Sequence, residues 1–125
     1  MICLILKNGG DRMKDNVQVK RIVEEIKIQL MELLQKKLQS VILFGSYARG
    51  DNTTESDMDI MLILNCPKEN ALLYRKDISK IASRIGLKYD VVISILFRTN
   101  EEFTKGMHYL PFYQNIVREG ISIYG

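Results

Sequence analysis

Between Val17 and Leu38, Val19, Ile22, Val23, Ile26, Leu30, Leu33 and Leu34 fall on one helical stripe, while Lys20, Arg21, Glu24, Glu25, Lys27 and Glu32 lie elsewhere. The pattern predicts an amphipathic helix packed on a core. Asp15 and Asn16 supply capping side chains at its start, and Lys36-Lys37 suit the negative pole at its end. From Gln39 the period changes. Gln39 to Phe44 and Met58 to Leu64 read as two buried strands, closed by the turn Asn65-Cys66-Pro67. Leu73 or Tyr74, Ile78, Ile81, Ala82 and Ile85 then return to helical spacing from about Lys68 to Ile85, with Gly86 placed to end that helix in a left-handed cap. Tyr89 to Phe97, dense in β-branched residues, predicts a third strand. Thr99 to Phe103 resembles a helix start, Leu110-Pro111-Phe112 marks a break, and Phe112 to Glu119 forms a last helix stopped by Gly120. Ile121 to Tyr124 adds a short edge strand, giving the order helix, strand, strand, helix, strand, helix, strand.

At 125 residues, 46% of them hydrophobic, the chain suits one domain with its own core. Its 18 Lys and Arg against 15 Asp and Glu leave a formal charge of +3, too mild to argue for nucleic-acid binding. Cys3 and Cys66 form neither a CxxC nor a zinc-spaced cluster, so a reducing cytoplasm is the expected setting. The apolar opening Met1 to Leu6 is too short to span a bilayer and lacks the features of a signal peptide, so no membrane association is expected. Lys7-Asn8-Gly9-Gly10-Asp11-Arg12 is polar and glycine-rich and stands directly before Met13. Because glycine codons are rich in guanine, residues 1–13 fit a translated ribosome-binding site ahead of a start at Met13, or else an N-terminal extension. The expected domain runs from 14 to 125.

The chemistry gathers where the first two strands meet their loop. Val41-Ile42-Leu43-Phe44 runs into Gly45-Ser46-Tyr47-Ala48-Arg49-Gly50, and six residues later Asp57-Met58-Asp59-Ile60 opens the second strand. Alternate strand residues share a face, so Asp57 and Asp59 lie together with Cα atoms roughly 6.5 to 7 Å apart. Two such carboxylates call for a counter-ion, and Mg²⁺ with hard oxygen ligands is the usual one where triphosphates are handled. Gly45 permits close backbone approach, and Ser46 is placed to cap a short helical turn whose amides meet phosphate oxygens. It is not a P-loop, because no GxxxxGK[ST] occurs. Arg49 either adds positive charge beside the phosphates or pairs with Asp51, Glu55 or a site acid. Asp90, expected where the third strand begins, offers a further carboxylate for a two-metal displacement if that strand lies beside Asp59.

Gly45-Ser46, ten intervening residues and Asp57-Met58-Asp59 resemble the GSx10DxD signature of the polymerase-beta-type nucleotidyltransferase superfamily, and the surrounding Gly45 to Gly50 and Ser56 to Ile60 resemble its minimal nucleotidyltransferase branch. Tyr89-Asp90-Val91-Val92 fits the branch's third-carboxylate strand, and Asn115 to Tyr124 its closing segment. The resemblance implies an α+β fold with a central mixed β-sheet flanked by helices. It implies two Mg²⁺ ions on Asp57, Asp59 and Asp90, and ATP as substrate held at Gly45 and Ser46, with AMP passing to a hydroxyl and pyrophosphate leaving. Members of this branch are often paired with a small helical HEPN toxin, which they bind and adenylylate on a tyrosine; the resemblance thus implies an antitoxin in a hetero-oligomer. A binding-only antitoxin, or a transferase for a small molecule or RNA end, are the other readings.

His108 stands alone, without an acid or cysteine at ligand spacing, and reads as a surface or packing residue. Tyr47 projects from the phosphate loop and can touch nucleotide or partner, or simply pack. The aromatic stretch His108 to Tyr113 suits a protein interface and core burial equally.

Overall fold

The computed structural model describes residues 7–8 and 16–125. Most of the extension expected over residues 1–13 therefore lies outside the described residues, as do Cys3 and the capping residue Asp15. Lys7–Asn8 forms a two-residue strand, β1, and Val17–Leu34 forms α1. Asn16 caps α1, its Oδ1 accepting from the Val19 N–H at 3.0 Å, and the stripe from Val19 to Leu34 is buried apart from the half-buried Leu33. The helix stops four residues short of the predicted Leu38, because Gln35 turns to φ 50° and Gln35–Lys37 tightens into a 3₁₀ turn carrying the two lysines.

Strand β2 (Leu38–Phe44) leads through α2 (Ser46–Arg49) and a loop into β3 (Met58–Leu64). The single helix expected from Lys68 to Ile85 is two helices, α3 (Lys68–Leu72) and α4 (Arg75–Tyr89). Between them the N–H groups of Leu73 and Tyr74 bond three residues back, to Asn70 and Ala71, so the ladder tightens and restarts.

Gly86 does not end α4. It lies buried inside the helix, where the Gly86 carbonyl accepts from both Asp90 and Val91, and a β-carbon there would stand 2.6 Å from Val91 O. The helix instead runs on to Tyr89 because its last turn is tied to α1: Glu25 Oε1 accepts from Lys88 Nζ at 2.7 Å and from the Tyr89 hydroxyl at 2.5 Å. Strand β4 consequently spans Ile93–Thr99 rather than Tyr89 to Phe97.

The remaining elements are α5 (Asn100–Met107), α6 (Pro111–Glu119) and β5 (Ile121–Tyr124). A reciprocal cap starts α5: the Thr99 hydroxyl accepts from the Glu102 N–H at 3.1 Å, and Glu102 Oε1 accepts from the Thr99 N–H at 3.0 Å. Pro111 takes the first position of α6, where its missing N–H costs nothing.

The sheet order is β1-β5-β2-β3-β4, with β2 antiparallel to β3 and β5, β3 parallel to β4, and β1 parallel to β5. Strand β5 was expected at an edge, but β1 lies outside its Ile121 and Ser122. Helices cover both faces. On one side α1 and α4 pack on Val41, Leu43, Ile60, Leu62 and Leu64; on the other, Phe103 of α5 and Ile116 and Val117 of α6 cover Ile42, Met61 and Ile63. This double burial explains why β3 is a nearly continuous apolar run, and a polar residue within it needs a separate reason. No helix among the described residues is long and apolar enough to cross a membrane.

Candidate active site

Asp59 is the exception in β3. It is half-buried on the sheet face that carries Met61 and Ile63, opposite Phe44 on β2 and Ser94 on β4. Asp57, exposed just before the strand, shares that face by alternation. A tight turn sets it there: the Thr53 N–H donates to Ser56 Oγ at 2.9 Å, and the Ser56 N–H donates to Thr53 O at 3.1 Å. Burial first, and the charge of Asp57 second, push the Asp59 carboxyl above its usual range, while the Arg49 guanidinium pulls the other way.

The Gly45 turn is stacked on that carboxylate. Gly45 has φ 74°, and a β-carbon at this position would lie 2.5 Å from Asp59 Oδ2, so only glycine brings the chain this close. Gly45, not Ser46, is the N-cap of α2. Ser46 is its first helical residue, and its side chain makes no capping bond because the turn is closed by the backbone, Gly45 O accepting from Ala48 and Arg49 at 3.1 Å. The amides of Ser46 and Tyr47 precede that closure and begin the helix.

Arg49 pairs with Asp51 at 3.3 Å and with Glu119 at 3.5 Å, fastening α2 to the end of α6. The first of these contacts raises its pKa further. Pairing with Glu55 is not seen.

Asp90 is placed differently from its expectation. It does not begin a strand but closes α4 in the left-handed region, φ 55°, three residues before β4 and exposed. The β4 residue beside Asp59 is Ser94. Among the described residues no group of three His, Cys, Asp or Glu side chains lies close enough together to hold a metal ion, and Asp57, Asp59 and Asp90 do not form one as they stand. The reason is the longer α4, which takes up the residues assigned to the strand. Ser94 was missed; its only signal was a polar residue alternating with Ile93 and Ile95.

Other candidates stay outside this grouping. His108 is an exposed residue closing α5. Tyr47 is half-buried and packs against the α1 side of the core. In the aromatic stretch Tyr113 is buried against Phe103, their ring centres 4.9 Å apart, whereas Tyr109, Leu110 and Phe112 are exposed; interface and core roles thus divide by residue. Phe112 leans edge-on against Phe44 at 5.9 Å, beside Asp59's partner strand.

The chain that carries this arrangement matches a known family. A model of the nucleotidyltransferase domain matches residues 19–122, and the chain is a member of that family, a nucleotidyltransferase with a mixed sheet flanked by helices. Two relatives from Methanocaldococcus jannaschii carry the provisional name protein adenylyltransferase. MJ0141 is 47% identical over 79 residues, 62% of this chain and 77% of its own length, and MJ0604 is 31% identical over 104 residues, 83% and 96% respectively. Two solved structures share the fold. One is a provisionally named nucleotidyltransferase from Sulfolobus solfataricus, with TM-score 0.55 and 17% identity over 94% of this chain and 89% of that one. The other is a chain of a toxin–antitoxin crystal structure with AMP-PNP, with TM-score 0.54 and 24% identity over 82% of this chain and 73% of that one.

Proposed function

We propose that this protein transfers AMP from ATP to a tyrosine hydroxyl of a partner protein, a small helical HEPN-type toxin, and so acts as its antitoxin. The observation that carries the reading is the stacking of the Gly45 turn on Asp59, which sets a phosphate-accepting backbone against two carboxylates of one face. The names of the Methanocaldococcus relatives support protein adenylylation, and the fold shared with a toxin–antitoxin chain supports the partner class.

Asp57 and Asp59 offer hard, adjacent oxygen donors that fit Mg²⁺, and the raised Asp59 carboxyl is what a cation would relieve. Bound there, Mg²⁺ would neutralise charge on the triphosphate and on the departing pyrophosphate. Gly45 and Ser46 hold the phosphates through the start of α2, and Arg49 keeps α2 in place against α6. The hydroxyl oxygen of the acceptor attacks the α-phosphorus, the bond from that phosphorus to the bridging oxygen breaks, pyrophosphate leaves with the electron pair, and the hydroxyl proton passes to solvent.

The test incubates the protein with α-labelled ATP, Mg²⁺ and the protein encoded beside its gene. Label on that protein, lost in Asp57→Asn and Asp59→Asn, supports transfer. Full neutralisation of the neighbour by those variants would show occlusion instead, and label only on RNA or a small molecule would sink the protein acceptor.

A further inference from the structure

Strand β4 ends the sheet, and among the described residues no strand pairs with its outer side. The phase of its hydrogen bonds follows from one contact: the Met58 N–H donates to Val92 O at 2.8 Å. In a parallel ladder with Met58 beside Ile93, the even-numbered residues of β4 bond to β3, and Ile93, Ile95, Phe97 and Thr99 turn their N–H and C=O outward. Thr99 N–H is taken by Glu102, and Phe97 O accepts from Arg98 Nη1 at 2.7 Å. The rest of the edge, from Ile93 to Phe97, presents peptide groups without a strand to meet them.

Such an edge invites another chain unless something blunts it, and neither proline nor bulge interrupts β4. Two clefts follow it. One, of about 630 Å³, borders Ile93; the other, of about 370 Å³, borders Ile95 to Arg98. The second is lined by Lys68, Arg75 and Arg98 against the single carboxylate of Glu102, which pairs with Lys68 at 3.6 Å. Cationic flanks beside unpaired peptide groups are complementary to an extended, acidic segment.

The edge also stands in register with the site. Asp59 lies beside Ser94, so a segment added to β4 would place a residue about 10 Å from Asp59, two strand spacings away on the same face. A tyrosine side chain is long enough to close most of that gap; serine and threonine are not.

We infer that the acceptor is presented as an extended strand added to the outer edge of β4, with a tyrosine opposite Ser94, an acidic residue four positions away opposite Arg98 on that face, and acidic residues an odd number of positions away opposite Lys68 and Arg75 on the other face. This rests on the reading of the protein as a tyrosine adenylyltransferase and states how the acceptor is held. The tyrosine oxygen forms the bond to the α-phosphorus, the bridging oxygen leaves with pyrophosphate, and the phenolic proton goes to solvent, as above.

The probe is a synthetic peptide with one tyrosine flanked by glutamates, together with four forms of it: two with alternate peptide nitrogens methylated, one in each phase, one with tyrosine replaced by serine, and one with glutamates replaced by lysine. We expect α-labelled ATP to label the parent peptide, with at least a tenfold loss in the best-placed N-methylated form and in each of the other two. Amide exchange at Ile93, Ile95 and Phe97 slows when the parent peptide is added. Ile95→Pro removes one outward N–H without touching the ladder to β3, and should raise KM for the peptide tenfold while ATP binding holds. Equal labelling of the methylated peptides, or unchanged exchange at the edge, overturns the inference. Label on the neighbouring protein that survives Ile95→Pro overturns the docking mode alone and leaves adenylylation standing. If neither peptide nor neighbour is labelled, adenylylation fails and the docking mode with it.

Discussion

Asp59 stands beside Ser94, not beside Asp90, in the parallel pairing of β3 and β4. In the proposed reaction the carboxylates set closest together by the sheet are Asp57 and Asp59. Asp59→Asn should lower transfer at least a hundredfold and weaken Mg²⁺ binding, whereas Asp90→Asn, at a position whose left-handed backbone asparagine tolerates, should leave Mg²⁺ affinity within about twofold. Isothermal titration with Mg²⁺ and a non-hydrolysable ATP analogue reads both. Equal losses would place Asp90 in the metal set with Asp57 and Asp59.

Gly45→Ala should lose nucleotide binding and melt earlier. A methyl group must either displace the Asp59 carboxylate 2.5 Å away or unwind a turn held at φ 74°, and each route costs on the order of 1–3 kcal/mol. Thermal melts with and without Mg²⁺-ATP check this; a variant that binds as well as the parent would show that the turn does not face the nucleotide.

Stability should rise in Asp59→Asn at neutral pH. A carboxyl raised by burial and by Asp57 favours its protonated form in the folded state. Below the ordinary carboxylate value of about 4 both states are protonated and nothing is lost; as pH climbs through the unfolded and then the folded value the charge must be buried, and that cost is complete above the folded value. The variant should melt a few degrees above the parent at about pH 7, and the gap should vanish near pH 3. A gap that is constant with pH would assign the effect to packing.

Gly106→Ala tests the second core. Its β-carbon would collide with the Tyr113 ring, which is itself buried against Phe103, so overpacking should cost about 1–3 kcal/mol in denaturant unfolding. Adding Tyr113→Leu should recover part of the loss caused at 106, the sign of a shared space.

Thr99→Ala removes one half of the reciprocal cap on α5 and should cost about 1 kcal/mol. The backbone N–H of Thr99 holds the Glu102 carboxyl below its usual range, so the contribution of Glu102 is present above the unfolded value and disappears as pH falls through the folded one. Acid titration of the melting temperature should show a shallower fall in Glu102→Gln.

The sequence by itself determined the element types and the heart of the site. Helical spacing from Val19 to Leu34, the apolar runs around Phe44 and Asp59, and the glycine turn between them are local signals, and a carboxylate inside a strand buried on both faces has few explanations other than function. Tertiary structure decided the boundaries and the partners. Tyr89 and Asp90 read locally as β-strand, yet Glu25, more than sixty residues earlier, draws Lys88 and Tyr89 into the last turn of α4 and carries Asp90 away from Asp59. In the same way Ser94 gained its place beside Asp59, and β4 its open edge, only through strand order. A local pattern sets which face each residue takes, but which strands lie side by side, and so which residues meet across them, is settled only when the elements pack.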